Sequence, residues 1–232
     1  MATVTQPEIA QAFPRPLEPE RRFLLRDVGW SGYEALLKMI GDSHVRVTYD
    51  RGDAELMSPS HHHDYYKVIF GHIVATITEV LDIDCHDTGS TTWKKPLEDR
   101  GLEPDQCFYL KNIDNIPHKL GAIDLSVDPP PDLAIEIEIT RSVLDRMGVY
   151  AALGIPEVWR FDGDHLIIER LGPDGHYTQV PTSVELPPVS PDEIVHWVRE
   201  AEGTWSRTRW NRNFREWVRL EILPRWRMNR GE

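Results

Sequence analysis

Strand-like and helix-like segments follow one another irregularly along this 232-residue chain. That order predicts an α/β (α+β) fold, a single domain with a central mixed β-sheet flanked by helices. Three observations carry the expectation. Residues 61–83, HHHDYYKVIFGHIVATITEVLDI, place Tyr66, Ile69, Phe70, Ile73, Val74 and Ile77 at helical spacing, as one long amphipathic helix does. Residues 132–140, DLAIEIEIT, alternate with the period of two that marks a strand. Residues 157–180 read as three short strands separated by the turn sequences DGD and GPDG.

The elements follow in order. Residues 1–22, rich in Pro and polar side chains and without periodicity, are expected to form a loose N-terminal segment, with order beginning near Arg26. Ser31 and Glu34 have capping-box spacing, and YEALLKMI supplies the apolar stripe of a short helix ended at Gly41. HVRVTY alternates, DRGD turns and AELM returns, which predicts a hairpin. After the long helix, strands are expected in DCHDTGSTTW, DQCFYL and DLAIEIEIT, the last entered through the rigid VDPPP. SVLDRMGVYAAL reads as a helix stopped by Gly154 and Pro156. Beyond the three-strand meander, PDEIVHWVREA and RTRWNRNFREWVRLEI read as helices. These define a domain over 23–182 and a C-terminal helical extension over 183–232.

A hydrophobic fraction of 40% and a charged fraction of 28% are those of a globular protein. No run approaches the roughly 18 apolar residues of a membrane span, and the first residues lack a secretory pattern, so the cytoplasm is the expected compartment. Two cysteines, Cys85 and Cys107, are too few for a disulfide framework or a thiolate zinc site. The net charge of −12 opposes non-specific grip on a polyanion. It is unevenly spread: nine Arg against five Glu leave residues 199–232 at +4 and the remainder at −16. The Arg and Trp residues of that stretch have two readings, phosphate contact with base stacking, or an amphipathic helix whose Arg face is solvated.

The candidate chemistry centres on DLAIEIEIT. Strand alternation sends Leu133, Ile135 and Ile137 one way and Ala134, Glu136 and Glu138 the other, so both carboxylates share a face. A second acid, Asp105, stands before the apolar CFYL. Two acids on adjacent strands can converge on one hard divalent cation, because Mg2+ takes oxygen ligands. Glu55, just before the long helix, is the third candidate. The consecutive His61, His62 and His63 point in different directions and lack the i, i+4 spacing of a zinc helix. Asp132 reads as a strand-entry residue.

The ordered series AELMSPS, EPDQCFY, PDLAIEIEIT and DRMGVYAALGIPEVWRFD resembles the Uma-type family of restriction endonucleases, a former domain-of-unknown-function family of the PD-(D/E)XK nuclease superfamily, over roughly residues 25–180. The resemblance implies a restriction-endonuclease-like fold and a Mg2+- or Mn2+-dependent endonuclease acting on DNA, with a homodimer admissible and no membrane partner. Carried over by position, Asp105 and Glu136 are the metal-binding acids, Glu55 the early acid, and His63 a neighbour of Glu55. The motif's lysine position two residues after Glu136 holds Glu138. Many relatives carry the lysine on the next helix, four residues before a Tyr, and here that residue is Arg146. Arginine stays charged and supplies fixed donors, not a general base. A nuclease-fold protein that binds nucleic acid or a protein partner without cutting is the alternative reading, and a metal-dependent hydrolase of another kind the third.

Overall fold

The computed structural model describes residues 16–117, 123–186 and 189–231. Its elements are β1 (Arg21–Leu25), α1 (Gly29–Ile40), β2 (Arg46–Asp50), β3 (Asp53–Ser58), α2 (His61–Leu81), β4 (His86–Asp87), β5 (Trp93–Lys95), β6 (Arg100–Leu102) and β7 (Gln106–Tyr109). There follow β8 (Leu133–Ile137), α3 (Arg146–Leu153), β9 (Glu157–Phe161), β10 (Leu166–Leu171), β11 (Tyr177–Gln179), α4 (Pro191–Gly203), α5 (Arg207–Trp217) and α6 (Leu223–Arg230), with one π-helical stretch, Val218–Ile222, between the last two.

The α/β class holds, and the strands divide between two sheets. An antiparallel five-stranded sheet runs β1-β3-β2-β6-β5, and a mixed six-stranded sheet runs β11-β10-β9-β8-β7-β4. In the first, the β2–β3 hairpin turns on Arg51 and Gly52, both at positive φ (46° and 101°), as a two-residue hairpin of this twist requires. In the second, β8 and β9 are parallel, and a parallel pair needs a long crossover. That crossover carries α3. It lies on the face of β8 shown by Ala134, in a core with Val149, Tyr150, Leu153 and Val158, and it also touches β5 and β6. Thus α3 sits between the two sheets.

The opposite face of the mixed sheet, shown by Leu133, Ile135 and Ile137, packs on α2 and on the C-terminal helices through Trp197, Trp210 and Phe214. The C-terminal helices therefore share the main core. Their apolar face is buried, while Arg209, Arg212, Arg219, Arg227 and Arg230 are exposed.

The local differences from the sequence reading have physical reasons. α1 begins at Gly29, ahead of Ser31, so no capping box forms there. Order begins before Arg26, because β1 pairs along β3 from Arg21↔Ser58 onwards and Glu20 is 5% exposed; residues 1–15 of the expected loose segment lie outside the described residues. α3 starts at Arg146 on an N-cap from Asp145, whose carboxylate accepts from Gly148 N. Residues 142–145 ahead of it form a loop. Among the described residues no helix is long and apolar enough to cross a membrane.

Candidate active site

Glu136 points from β8 toward α3 and is 5% exposed. A buried carboxylate requires partners, and α3 provides two of them one turn apart, since Arg146 and Tyr150 lie at i, i+4 on one helical face. The Arg146 guanidinium and the Tyr150 hydroxyl both donate to Glu136 Oε1. Arg146 also donates to Thr48 Oγ1 on β2 and, at 3.2 Å, to the Glu103 carbonyl. It thereby joins both sheets. Burial, the largest single influence, would lower the Arg146 pKa, but the charge of Glu136 together with Tyr150 and the hydrogen bonds to both outweighs it and holds the guanidinium above its ordinary value. Burial and the same carboxylate push the Tyr150 hydroxyl well above its usual range.

Asp105 lies where the chain enters β7 and is fully buried. Its backbone N–H donates to the Ile135 carbonyl at 3.2 Å, which docks the residue against β8. Its Oδ2 accepts from Ile137 N at 2.6 Å. Its Oδ1 is ion-paired with Arg46 of β2 and lies 2.8 Å from His63 Nε2. The other ring nitrogen of His63 is 3.0 Å from Glu20 Oε1. His63 is held at the start of α2, where its backbone N–H donates to the N-cap Ser60 Oγ.

Burial lowers the His63 pKa, with the hydrogen bond to Glu20 opposing it. For Glu20, burial acts upward, and hydrogen bonds from His63 and Thr140 outweigh it and keep the carboxyl below its ordinary value. Burial lowers the Arg46 pKa; the charge of Glu136 opposes that change and Arg146 adds to it. Two carboxylate–guanidinium pairs, Asp105 with Arg46 and Glu136 with Arg146, therefore stand within electrostatic reach of one another.

Glu55 sits on β3 opposite Thr48, at the border of this cluster. Its oxygens accept from Arg22 Nη1 at 2.7 Å, Ser142 Oγ at 2.8 Å and Val143 N at 2.9 Å. Glu138 accepts from Ser142 N at 3.1 Å, and Arg160 Nη1 lies 3.6 Å away. Both acids hold the loop ahead of α3. Among the described residues, no three of His, Cys, Asp and Glu are gathered as a ligand set. A cavity of about 150 Å³ opens beside Glu136, lined also by Glu138, Arg141, Arg146, Tyr150 and Arg160.

The structure thus brings Asp105, Glu136 and Arg146 to one region, with Glu55 and Glu138 on its edge. His63 contacts Asp105 and Glu20, where the sequence reading set it beside Glu55. Arg46, Thr48 and Glu20 were not foreseen, and Tyr150, which spacing sets on the same helical face as Arg146, was not read as a partner of Glu136. Arg46 and Thr48 carried a signal, being the polar positions of an alternating strand; Glu20 carried none. Asp132 is a strand-entry residue, accepting from Leu110 N and Asn112 N.

Two acids from adjoining strands of a mixed sheet, Asp105 paired with Arg46 and Glu136 paired with Arg146 of the crossover helix, make up the site. The chain belongs to the Uma2 family, described as "Putative restriction endonuclease", whose model matches residues 30–229. No curated protein matches the chain.

Proposed function

We propose that this protein is a Mg2+- or Mn2+-dependent endonuclease that hydrolyses DNA phosphodiester bonds with water. The observation that carries the reading is the pairing of Asp105 with Arg46 and of Glu136 with Arg146, with Glu136 and Arg146 lining a cavity that Arg141 and Arg160 also line. The donor chemistry fits a hard cation. Both contacts of Glu136 fall on Oε1, leaving Oε2 without a protein hydrogen bond among the described residues, and Mg2+ is usually held by one or two carboxylates together with substrate phosphate and waters. Asp105 and Glu136 would hold it, and when bound it supplies Lewis acidity and a water of lowered pKa.

The chain's own residues do the rest. Arg146 places a fixed positive charge where charge develops on the phosphate. Arginine stays charged at any accessible pH, so Arg146 is not a base. Arg141, exposed at the cavity, meets the phosphate backbone. Glu55 and Glu138 fix the 142–145 loop that leads into α3 and Arg146.

One observation favours the second reading, a nuclease-fold binding module: each carboxylate is already compensated by an arginine. Incubation of supercoiled plasmid with the purified protein in Mg2+ or Mn2+ separates the two. Nicking that is lost in Glu136→Ala supports the endonuclease; intact plasmid with both proteins supports the module.

A further inference from the structure

We propose that Glu20 is a positioning residue of this site, acting through His63 to fix the carboxylate of Asp105; the proposal rests on reading Asp105 as an acid of the cleavage site. Glu20 precedes β1 and is 5% exposed. A carboxylate there is a costly way to pin an N-terminal strand, since burying an ion costs several kcal/mol unless its partners are well placed, and an apolar side chain would pin it without that cost.

The partners explain the carboxylate. Glu20 Oε1 lies 3.0 Å from His63 Nδ1 and accepts from Ile139 N at 3.1 Å. His63 Nε2 lies 2.8 Å from Asp105 Oδ1, and Asp105 Oδ2 accepts from Ile137 N at 2.6 Å. The chain Glu20–His63–Asp105 is therefore anchored at both ends on the same few residues of backbone, Ile137 to Ile139, and forms a closed ring. The bond made by one imidazole nitrogen sets how the other is presented. With Glu20 in place the His63 ring is held at both nitrogens, and it meets an Asp105 carboxylate whose Oδ1 also pairs with Arg46 and whose Oδ2 accepts from Ile137 N. Without it the ring is open at one link, and the imidazole is fixed only through Asp105 itself.

Partners that orient a ligand residue in this way typically change metal affinity or activity by about 10–100-fold when removed. The test uses the full chain and two variants of similar side-chain size. Glu20→Gln keeps an acceptor oxygen for His63 and Ile139, whereas Glu20→Met keeps the packing and opens the ring. Mn2+ affinity is measured by calorimetry without DNA, and the ring nitrogens of His63 by 15N NMR. Glu20→Met is expected to weaken Mn2+ binding by about 10–100-fold and to move the His63 signals, while Glu20→Gln stays near wild type in both. Wild-type Mn2+ affinity and unmoved His63 signals in Glu20→Met would overturn the proposal. If the wild type neither binds Mn2+ nor cuts DNA, the cleavage reading fails by itself, and the His63 signals still decide the positioning role: unmoved in Glu20→Met, they overturn it.

Discussion

Replacing Arg146 with alanine should destabilise the protein far more than an ordinary helix substitution. The side chain is 9% exposed and serves Glu136, Thr48 and the Glu103 carbonyl together. Its loss leaves Glu136 with the Tyr150 hydroxyl alone. Removing one partner of a buried ion pair costs about 3–5 kcal/mol, and the adjoining cavity, which admits water to Glu136, places the expected value near 3 kcal/mol on that scale. For a chain of this size that corresponds to a fall in Tm of roughly 6–12 °C, at 2–4 °C per kcal/mol. Equilibrium urea unfolding gives the free energy directly, and the double variant Arg146→Ala/Glu136→Gln is the control. Because the penalty lies in the unpaired carboxylate, the double variant should be less destabilised than the sum of the two single variants. A change below about 1 kcal/mol for Arg146→Ala, the range of a typical point substitution, or strict additivity in the double variant, would refute the assignment of Arg146 as the counter-ion of Glu136.

Three other outcomes are expected. Arg141→Ala, at an exposed position, should leave stability within about 0.5 kcal/mol of wild type and raise the KM for DNA cleavage with kcat little changed; an unchanged KM would remove Arg141 from the substrate surface. Asp132→Ala strips the acceptor from Leu110 N, Asn112 N and Asn112 Nδ2 and should cost about 1–3 kcal/mol in urea unfolding with Mn2+ affinity intact, whereas lost affinity would make Asp132 a ligand. Glu193 closes the capping box of α4 and pairs with Arg225 of α6. Burial acts to raise its pKa, but the bonds from Arg225 and Ser190 hold it below the ordinary 4.5, so its contribution is present above that pH and is lost as pH falls through the depressed value. The stability gap between wild type and Glu193→Gln should therefore be full at pH 7 and shrink on acidification below about 4.5; a gap independent of pH would contradict the pairing.

Where a period was long enough, the fold was legible. The apolar residues of α2 repeat along its whole length, and the alternation of β8 determined on its own which side Glu136 would face. Shorter or composite elements were not legible. β6 has three residues, too few to show a period, and β1 is recognisable only through its partner β3. The N-terminal turn of α3 read as helix because SVLD continues the apolar pattern, but Glu55 takes Ser142 Oγ and Val143 N, and the helix begins after them. Site residues showed the same division. Asp105 and Glu136 stand in strand-like segments whose pattern carries information, while Arg146 was reached through the family resemblance. His63 and Arg46 meet Asp105 across 42 and 59 residues of chain, and Glu20 meets His63 across 43, and such pairings are made by tertiary packing alone.

The most direct test of the account is the rate of plasmid cleavage by wild type, Arg146→Lys and Glu136→Gln, compared in parallel in Mg2+ and Mn2+. If Asp105 and Glu136 hold the cation while Arg146 supplies only charge, the wild type cuts, Arg146→Lys cuts as fast or faster because lysine keeps the charge and adds a titratable amine, and Glu136→Gln does not cut. Cleavage by Glu136→Gln at the wild-type rate would contradict the site, and no cleavage by either the wild type or Arg146→Lys would contradict the activity.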